Sequence, residues 1–246
     1  MNERMIRINR YLAGSGLGSR RKCEKYVLEG KVRVNGKEIS DLAFKVNPGK
    51  DDVTVCGERV FYNEKSTVLV MNKPAGIVCS VSDELGRRTV IDLTREKGYN
   101  QRLFPVGRLD MDTTGILLIT NDGKLTNRMI HPRYHVKKVY RVRVQGNISG
   151  STVSTLESGV DIGGYITSPC SVRIIESGRG YTELEIAISE GKKRQIKRMF
   201  LSCGHPVIKL HRKSIGGLSF KDLDTGEVRP LSRDEERLLR KRIGLD

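Results

Sequence analysis

The chain has 246 residues, of which 37% are hydrophobic, and this is enough to bury one large core or two smaller ones. Lys and Arg total 45 against 29 Asp and Glu, which leaves a net charge of +16. Such an excess favours a polyanion as partner, and nucleic acid is the first candidate because phosphate contacts supply affinity without sequence information.

The five cysteines are widely spaced and include no Cys-x-x-Cys pair. This pattern argues against a disulfide framework or a zinc ribbon and indicates a reducing compartment. The sequence contains neither an apolar run long enough to span a membrane nor the apolar core of a signal peptide. We therefore expect a cytoplasmic protein.

Residues 1–62 are predicted to form a small domain. Residues 6–13 have the spacing of a short helix, and Ser19 is a good N-cap for a second helix that stops at Gly30. Alternating valines around Asn35-Gly36 predict a hairpin with a type I′ turn, and residues 53–60 form another short strand pair.

The second helix begins with a run of basic residues, namely Arg20, Arg21 and Lys22. The helix dipole disfavours cations at this end unless an anion binds there. A basic helix start beside a hairpin therefore predicts a small RNA-binding module, with these three side chains as substrate contacts.

Residues 62–66 have the composition of a polar linker, and residues 63–246 are predicted to form the second domain. Strand-like runs occupy residues 66–74, 115–120, 137–146 and 182–189. Helical patterns occupy residues 125–130, 151–159, 194–204 and 232–244. Because the strands lack regular βαβ spacing, we expect an α+β fold with a mostly antiparallel sheet.

Three aspartates, Asp110, Asp112 and Asp122, surround an apolar run in the stretch GRLDMDTTGILLITNDG. They could hold a metal ion as in a nuclease, but an extended run separates the third from the other two. A single aspartate before a buried strand could instead act on a nucleotide as nucleophile or base. The residues alone leave these interpretations open beside that of a turn former.

This stretch closely resembles the catalytic segment of the pseudouridine synthases that modify ribosomal RNA. The branch that it most resembles acts on single uridines and carries an N-terminal alpha-L RNA-binding domain. Five further segments resemble that family in the right order: RINRYLAGSGLGSRRKCEKYVLEGKVRVNG, MNKPAGIVCS, KVYRV, EGKKRQIKRMF and LHRKSIGGLSF. The resemblance covers nearly the whole chain.

The resemblance implies a role for several side chains. Asp110 directly follows Gly-Arg-Leu and matches the catalytic aspartate, while Tyr140 matches the tyrosine that stacks on the target base. Lys192 falls where relatives carry Arg or Lys, the cation that pairs with the aspartate. Ile196 matches the apolar residue packed beneath the site.

Further contacts are expected around this set. Arg108 is interpreted as an RNA or support contact, and Lys73, in the lysine-proline segment, as a substrate-binding residue. Asp112 falls at a variable position and is interpreted as local turn chemistry.

The implied reaction detaches uracil from its ribose, turns it over and rejoins it through carbon 5. It involves no redox change, so we expect neither a cofactor nor a metal. The expected partner is ribosomal RNA or a ribosome assembly particle, bound by a monomer. Two alternatives stay open: a non-catalytic RNA-binding protein of ribosome assembly, and a metal nuclease.

Overall fold

The computed structural model describes residues 5–62, 65–220 and 222–245. The chain divides into two compact units, Met1–Ser66 and Thr67–Asp246. The division lies between residues 66 and 67, whereas the sequence places it between 62 and 63. None of the described helices is long and apolar enough to cross a membrane.

The first unit combines two helices with short strands. Its elements are β1 (Ile6–Arg7), α1 (Ile8–Gly14), α2 (Arg20–Leu28), β2 (Val32–Val34), β3 (Lys37–Glu38), β4 (Lys45–Val46), β5 (Val53–Val55) and β6 (Glu58–Arg59). Four of the strands form a sheet in the order β3-β2-β5-β6, and β1 pairs with β4.

Local sequence signals account for the main features of this unit. The Ser19 side chain caps α2 by accepting a hydrogen bond from the backbone N–H of Lys22. Asn35 and Gly36 both have positive φ, 50° and 79°, which is the requirement of the predicted type I′ turn. Helix α1 begins at Ile8 rather than at residue 6, because Ile6 and Arg7 form a strand with β4.

The second unit contains one large sheet and five helices in its described part. Its strands are β7 (Val68–Lys73), β8 (Phe104–Pro105), β9 (Thr114–Thr120), β10 (Lys138–Gln145), β11 (Ser171–Gly178), β12 (Tyr181–Ile188), β13 (Val207–Ile215), β14 (Leu218–Ser219) and β15 (Val228–Pro230). Its helices are α3 (Val90–Glu96), α4 (Gly123–Ile130), α5 (Gly150–Ser158), α6 (Gln195–Ser202) and α7 (Arg233–Arg242), with a 3-10 turn at Pro132–Tyr134.

The strand order of the large sheet is β11-β12-β10-β13-β9-β7-β15, with β14 beside β13 and β8 beside β9. Strands β9 and β13 run parallel, and the other described pairs of this sheet are antiparallel. The predicted α+β fold with a mostly antiparallel sheet is confirmed.

Strand β9 is buried on both faces. Leu117 and Ile119 join the core that includes residues of α3, α5 and α6, whereas Ile116 and Leu118 join the core that includes residues of α4 and α7. A strand between two cores has no solvent face, so its sequence is continuously apolar instead of alternating. The loop that carries the candidate site leads directly into this rigid strand.

The sequence-based prediction lacks six helices and strands of this unit: helix α3, the long strands β11 and β13, and the short strands β8, β14 and β15. Helix α3 carries a capping box, in which Thr89 and Asp92 bond each other's backbone N–H, and this pair is the signal that identifies it. Strands β11 and β13 carry too many polar residues to match a simple apolar run. Pairing with β12, β10 and β9 decides their structure.

Candidate active site

Asp110 lies in the loop before β9, at the edge of a cavity of about 220 Å³. The side chain is partly exposed. Tyr140 and Lys192, which the sequence assigns to the same site, line this cavity too. Three side chains from distant parts of the chain therefore meet around one space.

Lys73 holds the Asp110 loop from the inside. Its side chain is fully buried, and the ammonium donates to the carbonyls of Pro74 at 2.9 Å, Met111 at 3.2 Å and Thr113 at 2.9 Å. Burial lowers the pKa of Lys73. The amine is enclosed and occupied by backbone carbonyls on both sides of Asp112, so in this structure Lys73 supports the loop, and the substrate contact expected from the sequence stays a prediction.

The wall opposite the loop is apolar. Tyr140 is on β10 and is 7% exposed. Ile188 of β12, Leu210 of β13 and Ile196 of α6 line the cavity with it. Adjacent strands thus supply a flat, largely buried surface beside a carboxylate, which suits a planar base.

Lys192 belongs to the turn between β12 and α6, and Gln195 organises this turn. The side-chain oxygen of Gln195 accepts a hydrogen bond from the Lys192 backbone N–H at 2.9 Å. The side-chain NH₂ of Gln195 donates to the Glu190 carboxylate at 2.6 Å. Tyr165 and Ser168 also donate to Glu190. Burial alone would raise the pKa of Glu190, but these hydrogen bonds outweigh it and hold the pKa below its usual range.

The Lys192 ammonium lies over the ring of Tyr165, 4.2 Å from its centroid. Within the described part of the chain, the Asp110 carboxylate forms neither an ion pair nor a hydrogen bond. The pairing expected between Asp110 and Lys192 is thus not formed in this structure, although both line the cavity. The electron-rich ring of Tyr165, which is bonded to Glu190, holds the cation instead.

The other two aspartates of the segment have structural partners. Asp112 accepts hydrogen bonds from Lys197 of α6 at 2.5 Å, and this contact lowers the pKa of Asp112. This ion pair joins the loop before β9 to α6, whereas the sequence predicts only a local turn role for Asp112. Asp122 caps α4 and pairs with Arg240 at 2.9 Å. Among the described residues, no cluster of three or more His, Cys, Asp or Glu could hold a metal ion.

The remaining predicted residues divide between the two units. Arg108 is exposed and Ile196 buried, and both line the cavity. Arg20, Arg21 and Lys22 are exposed at the start of α2 in the first unit. Glu190, Gln195 and Tyr165 are site residues that sequence reasoning missed. Glu190 and Gln195 stand within the EGKKRQIKRMF segment, whereas Tyr165 carries no local signal.

Known proteins share both units. The family model described as RNA pseudouridylate synthase matches residues 67–202, and the S4 domain model matches residues 6–52. Ribosomal large subunit pseudouridine synthase B of Bacillus subtilis is 37% identical over 238 residues, which cover 96% of either chain. Ribosomal small subunit pseudouridine synthase A of Escherichia coli is 33% identical over 233 residues, covering 94% of this chain and 98% of that protein.

A crystal structure of a pseudouridylate synthase has a TM-score of 0.67 and 28% identity to this chain, covering 95% of this chain and 99% of that one. The two units and the cavity thus define an RNA-modifying enzyme with an N-terminal RNA-binding domain. The chain belongs to the RNA pseudouridylate synthase family, and its first unit contains an S4 domain. It is an RNA pseudouridine synthase, an isomerase, as the sequence motifs predict.

Proposed function

We propose that this enzyme isomerises a specific uridine of ribosomal RNA to pseudouridine, with Asp110 as the catalytic carboxylate. One observation carries the proposal: Asp110, Tyr140 and Lys192 line the same cavity. The choice of ribosomal RNA is supported by the names of the Bacillus subtilis and Escherichia coli relatives.

The proposed reaction breaks the bond between ribose carbon 1′ and uracil N1 and forms a bond between carbon 1′ and carbon 5. Carbon 5 loses a proton and N1 gains one, so atoms and electrons balance without an oxidant, a reductant or a cofactor. Asp110 acts at the sugar, as nucleophile or as base. Its loop leads into β9, which is buried on both faces and keeps the backbone beside Asp110 in a fixed position.

Tyr140 and Lys192 complete the proposed site. The detached base must rotate without leaving, and the Tyr140 ring offers a surface on which every orientation of a flat base can stack. Lys192 supplies the cation that pairs with the Asp110 carboxylate in the complex. Its flexible stem allows the ammonium to leave the Tyr165 ring for the carboxylate when a nucleotide enters.

The target uridine must leave its stack to reach the cavity, so single-stranded or flipped uridine is the proposed substrate. We place the enzyme in the cytoplasm as a monomer, acting on ribosomal RNA or an assembly particle. Light scattering of the purified protein with and without RNA tests whether the enzyme is a monomer.

Tritium release from carbon 5 of labelled uridine tests the proposed chemistry. Small- and large-subunit RNA are each incubated with the wild-type enzyme and with Asp110→Asn, which keeps the shape of the side chain and removes its charge. We expect release by the wild type and none above background by Asp110→Asn, with nearly unchanged RNA binding. On a short, unstructured RNA, release should persist in excess EDTA.

Asp112→Asn is the matched control, because it neutralises a carboxylate of the same loop that is 67% exposed. We expect it to keep most of the turnover. Substantial tritium release by folded Asp110→Asn would remove Asp110 from the catalytic role. Binding without release on either RNA would instead indicate the non-catalytic assembly protein.

A further inference from the structure

One buried hydroxyl at the cavity lacks a partner. Thr113 is 2% exposed, and its Oγ1 forms no hydrogen bond to any described residue. Two other buried side-chain atoms in the described ranges share this property, Asn72 Oδ1 and Arg212 Nη2. Of the three residues, Thr113 is the one that lines the cavity. Because buried polar groups almost always have partners, its hydroxyl requires an explanation.

The backbone of Thr113 is fixed relative to Asp110. The Thr113 N–H donates to the Asp110 carbonyl at 3.1 Å, and the Thr113 carbonyl accepts from Lys73 at 2.9 Å. A β-branched side chain on a fixed backbone has few rotamers. Thr113 and Asp110 therefore belong to one rigid turn, and both residues line the cavity.

The rest of the lining indicates which part of a nucleotide reaches this hydroxyl. Ile188, Leu210 and Tyr140 are buried, whereas Arg108 and Lys192 are exposed. The buried part of the cavity suits an uncharged flat base, and the exposed cations suit the sugar-phosphate backbone. Thr113, as a residue that is 2% exposed, belongs to the buried part of the lining that suits the base.

We propose that the Thr113 hydroxyl binds the substrate by donating a hydrogen bond to a carbonyl oxygen of the uracil base. This inference rests on the proposed function, because it takes uridine as the nucleotide in the cavity. A hydroxyl can donate one hydrogen bond, and uracil presents two carbonyl acceptors on its edge. The bond is made only in the complex, which explains why the hydroxyl has no protein partner.

The first test compares Thr113→Val with Thr113→Ser by tritium release and by melting temperature. Valine keeps the shape and removes a hydroxyl that bonds nothing in the free protein, so the melting temperature should not fall. Turnover (kcat/KM) should fall roughly tenfold, the effect of removing one hydrogen bond in a buried site. Serine keeps the hydroxyl and should retain most of the turnover.

Thr182→Val is the matched control. The Thr182 hydroxyl is equally buried, but it donates to the Gly146 carbonyl at 2.9 Å and accepts from the Ile148 N–H at 3.0 Å. This variant should melt at a lower temperature and keep its turnover, the reverse of Thr113→Val. A lower melting temperature with unchanged turnover for Thr113→Val would show a structural hydroxyl and overturn the inference.

A second test identifies the group that Thr113 contacts. Binding is measured in the Asp110→Asn background, with and without Thr113→Val, using RNAs whose target uridine is replaced by 2-thiouridine, 4-thiouridine or 2′-deoxyuridine. Sulfur is a poor acceptor, so one of the thio bases should weaken binding only when the Thr113 hydroxyl is present. If the effect of Thr113→Val on binding depends on 2′-deoxyuridine alone, or on none of the three replacements, the contact with the base is overturned.

The outcomes separate this inference from the proposed function. Absence of tritium release by the wild-type enzyme on ribosomal RNA would refute the proposed function. An active wild type with an equally active Thr113→Val would refute the Thr113 contact alone.

Discussion

A fully buried lysine is costly at the scale of a single residue, because its charge must be removed from water. Lys73 offsets this cost by donating to three carbonyls, two of which belong to Met111 and Thr113. These two residues bracket the turn after Asp110. The Lys73 ammonium therefore holds the Asp110 loop in place through its backbone carbonyls.

Replacing Lys73 should lower both the stability of the protein and its turnover. Lys73→Met fills similar space but leaves the carbonyls unpaired, so we expect the free energy of unfolding to fall by about 2–4 kcal/mol. The displaced loop should lower kcat by about tenfold or more, because small shifts of a catalytic group are costly. Urea unfolding and tritium release measure the two effects.

Lys124→Met is the control for this prediction, since Lys124 is exposed at the start of α4. It should change neither quantity appreciably. RNA affinity should also survive in Lys73→Met, because the amine is enclosed and does not reach the surface. A Lys73→Met enzyme with weaker RNA binding and normal kcat would instead support the substrate contact that the sequence predicts for Lys73.

At the scale of an element, the turn before α6 is organised by its own residues and by a distant loop. Gln195, the first residue of the helix, fixes the Lys192 backbone and donates to Glu190. Tyr165 comes from the loop before β11 and contacts Glu190 and the Lys192 ammonium. The position of Lys192 beside the cavity therefore depends on a residue that lies far from it in the chain.

Helix α7 offers a prediction about a capping charge. Glu235 bonds the Ser232 backbone N–H in a capping box and forms two bonds to Arg229, at 2.8 and 2.9 Å. The Arg229 hydrogen bonds are the main reason that the pKa of Glu235 is lowered from 4.5 to about 2. The ionised form is therefore favoured in the folded protein.

A lowered carboxyl pKa stabilises the fold above pH 4.5, and this stabilisation is lost as the pH falls toward about 2. Glu235→Gln keeps the capping geometry and removes the charge, so it should be less stable than the wild type at pH 7. The difference should shrink as pH falls through this window, as urea unfolding at a series of pH values would show.

Asp234→Asn is the control for Glu235→Gln, because the Asp234 side chain is 87% exposed in its pair with Arg237. Exposed pairs of this kind contribute little, so its stability should follow the wild type at every pH. A constant deficit of Glu235→Gln down to low pH would mean that the charge of Glu235 is not the stabilising feature.

At the scale of the whole molecule, the positive charge is distributed over both units. Residues 1–62 contain 13 basic and 8 acidic residues, and residues 190–213 contain eight basic residues against Glu190. The structure reduces the second group, because Arg212 is buried and Lys197 and Lys213 are paired with carboxylates. The first unit also has paired cations, Lys31 and Arg59, but Arg20, Arg21 and Lys22 are exposed at the start of α2, so we expect them to contribute to RNA binding.

Changing the basic start of α2 should therefore weaken binding of a structured RNA. The triple variant carries alanine at Arg20, Arg21 and Lys22. We expect lower affinity and a shallower salt dependence, by somewhat under ~1 unit in the slope of log affinity against log salt for each phosphate that is no longer neutralised. Turnover at saturating RNA should persist, because Asp110 and Tyr140 are unchanged. Binding and tritium release across a salt series provide the measurement.

A triple variant of α7 with the same reduction of charge is the control. It carries alanine at three exposed basic positions, Arg233, Arg237 and Lys241. We expect a smaller decrease of affinity and little change of slope. Equal effects of the two triple variants would show that RNA affinity depends on total charge and that the start of α2 makes no specific contact with RNA.

The features that depend on neighbours in the chain could be predicted from the sequence. The Ser19 cap, the Asn35-Gly36 turn and the capping box of α7 require only a few adjacent residues, and the structure contains all three. The apolar run of β9 predicts a strand for the same reason. The family follows from the motifs, because their residue order is a property of the chain.

Only the tertiary structure decided how the site is held together. Lys73 meets the carbonyl of a residue 40 positions away, and Lys197 meets Asp112 across 85 positions. Whether a lysine faces RNA or supports a loop depends on which strands are neighbours, and the parallel pairing of β9 with β13 has no local signal. The unpaired hydroxyl of Thr113 is likewise visible only in three dimensions, because an unpaired group is defined by everything that surrounds it.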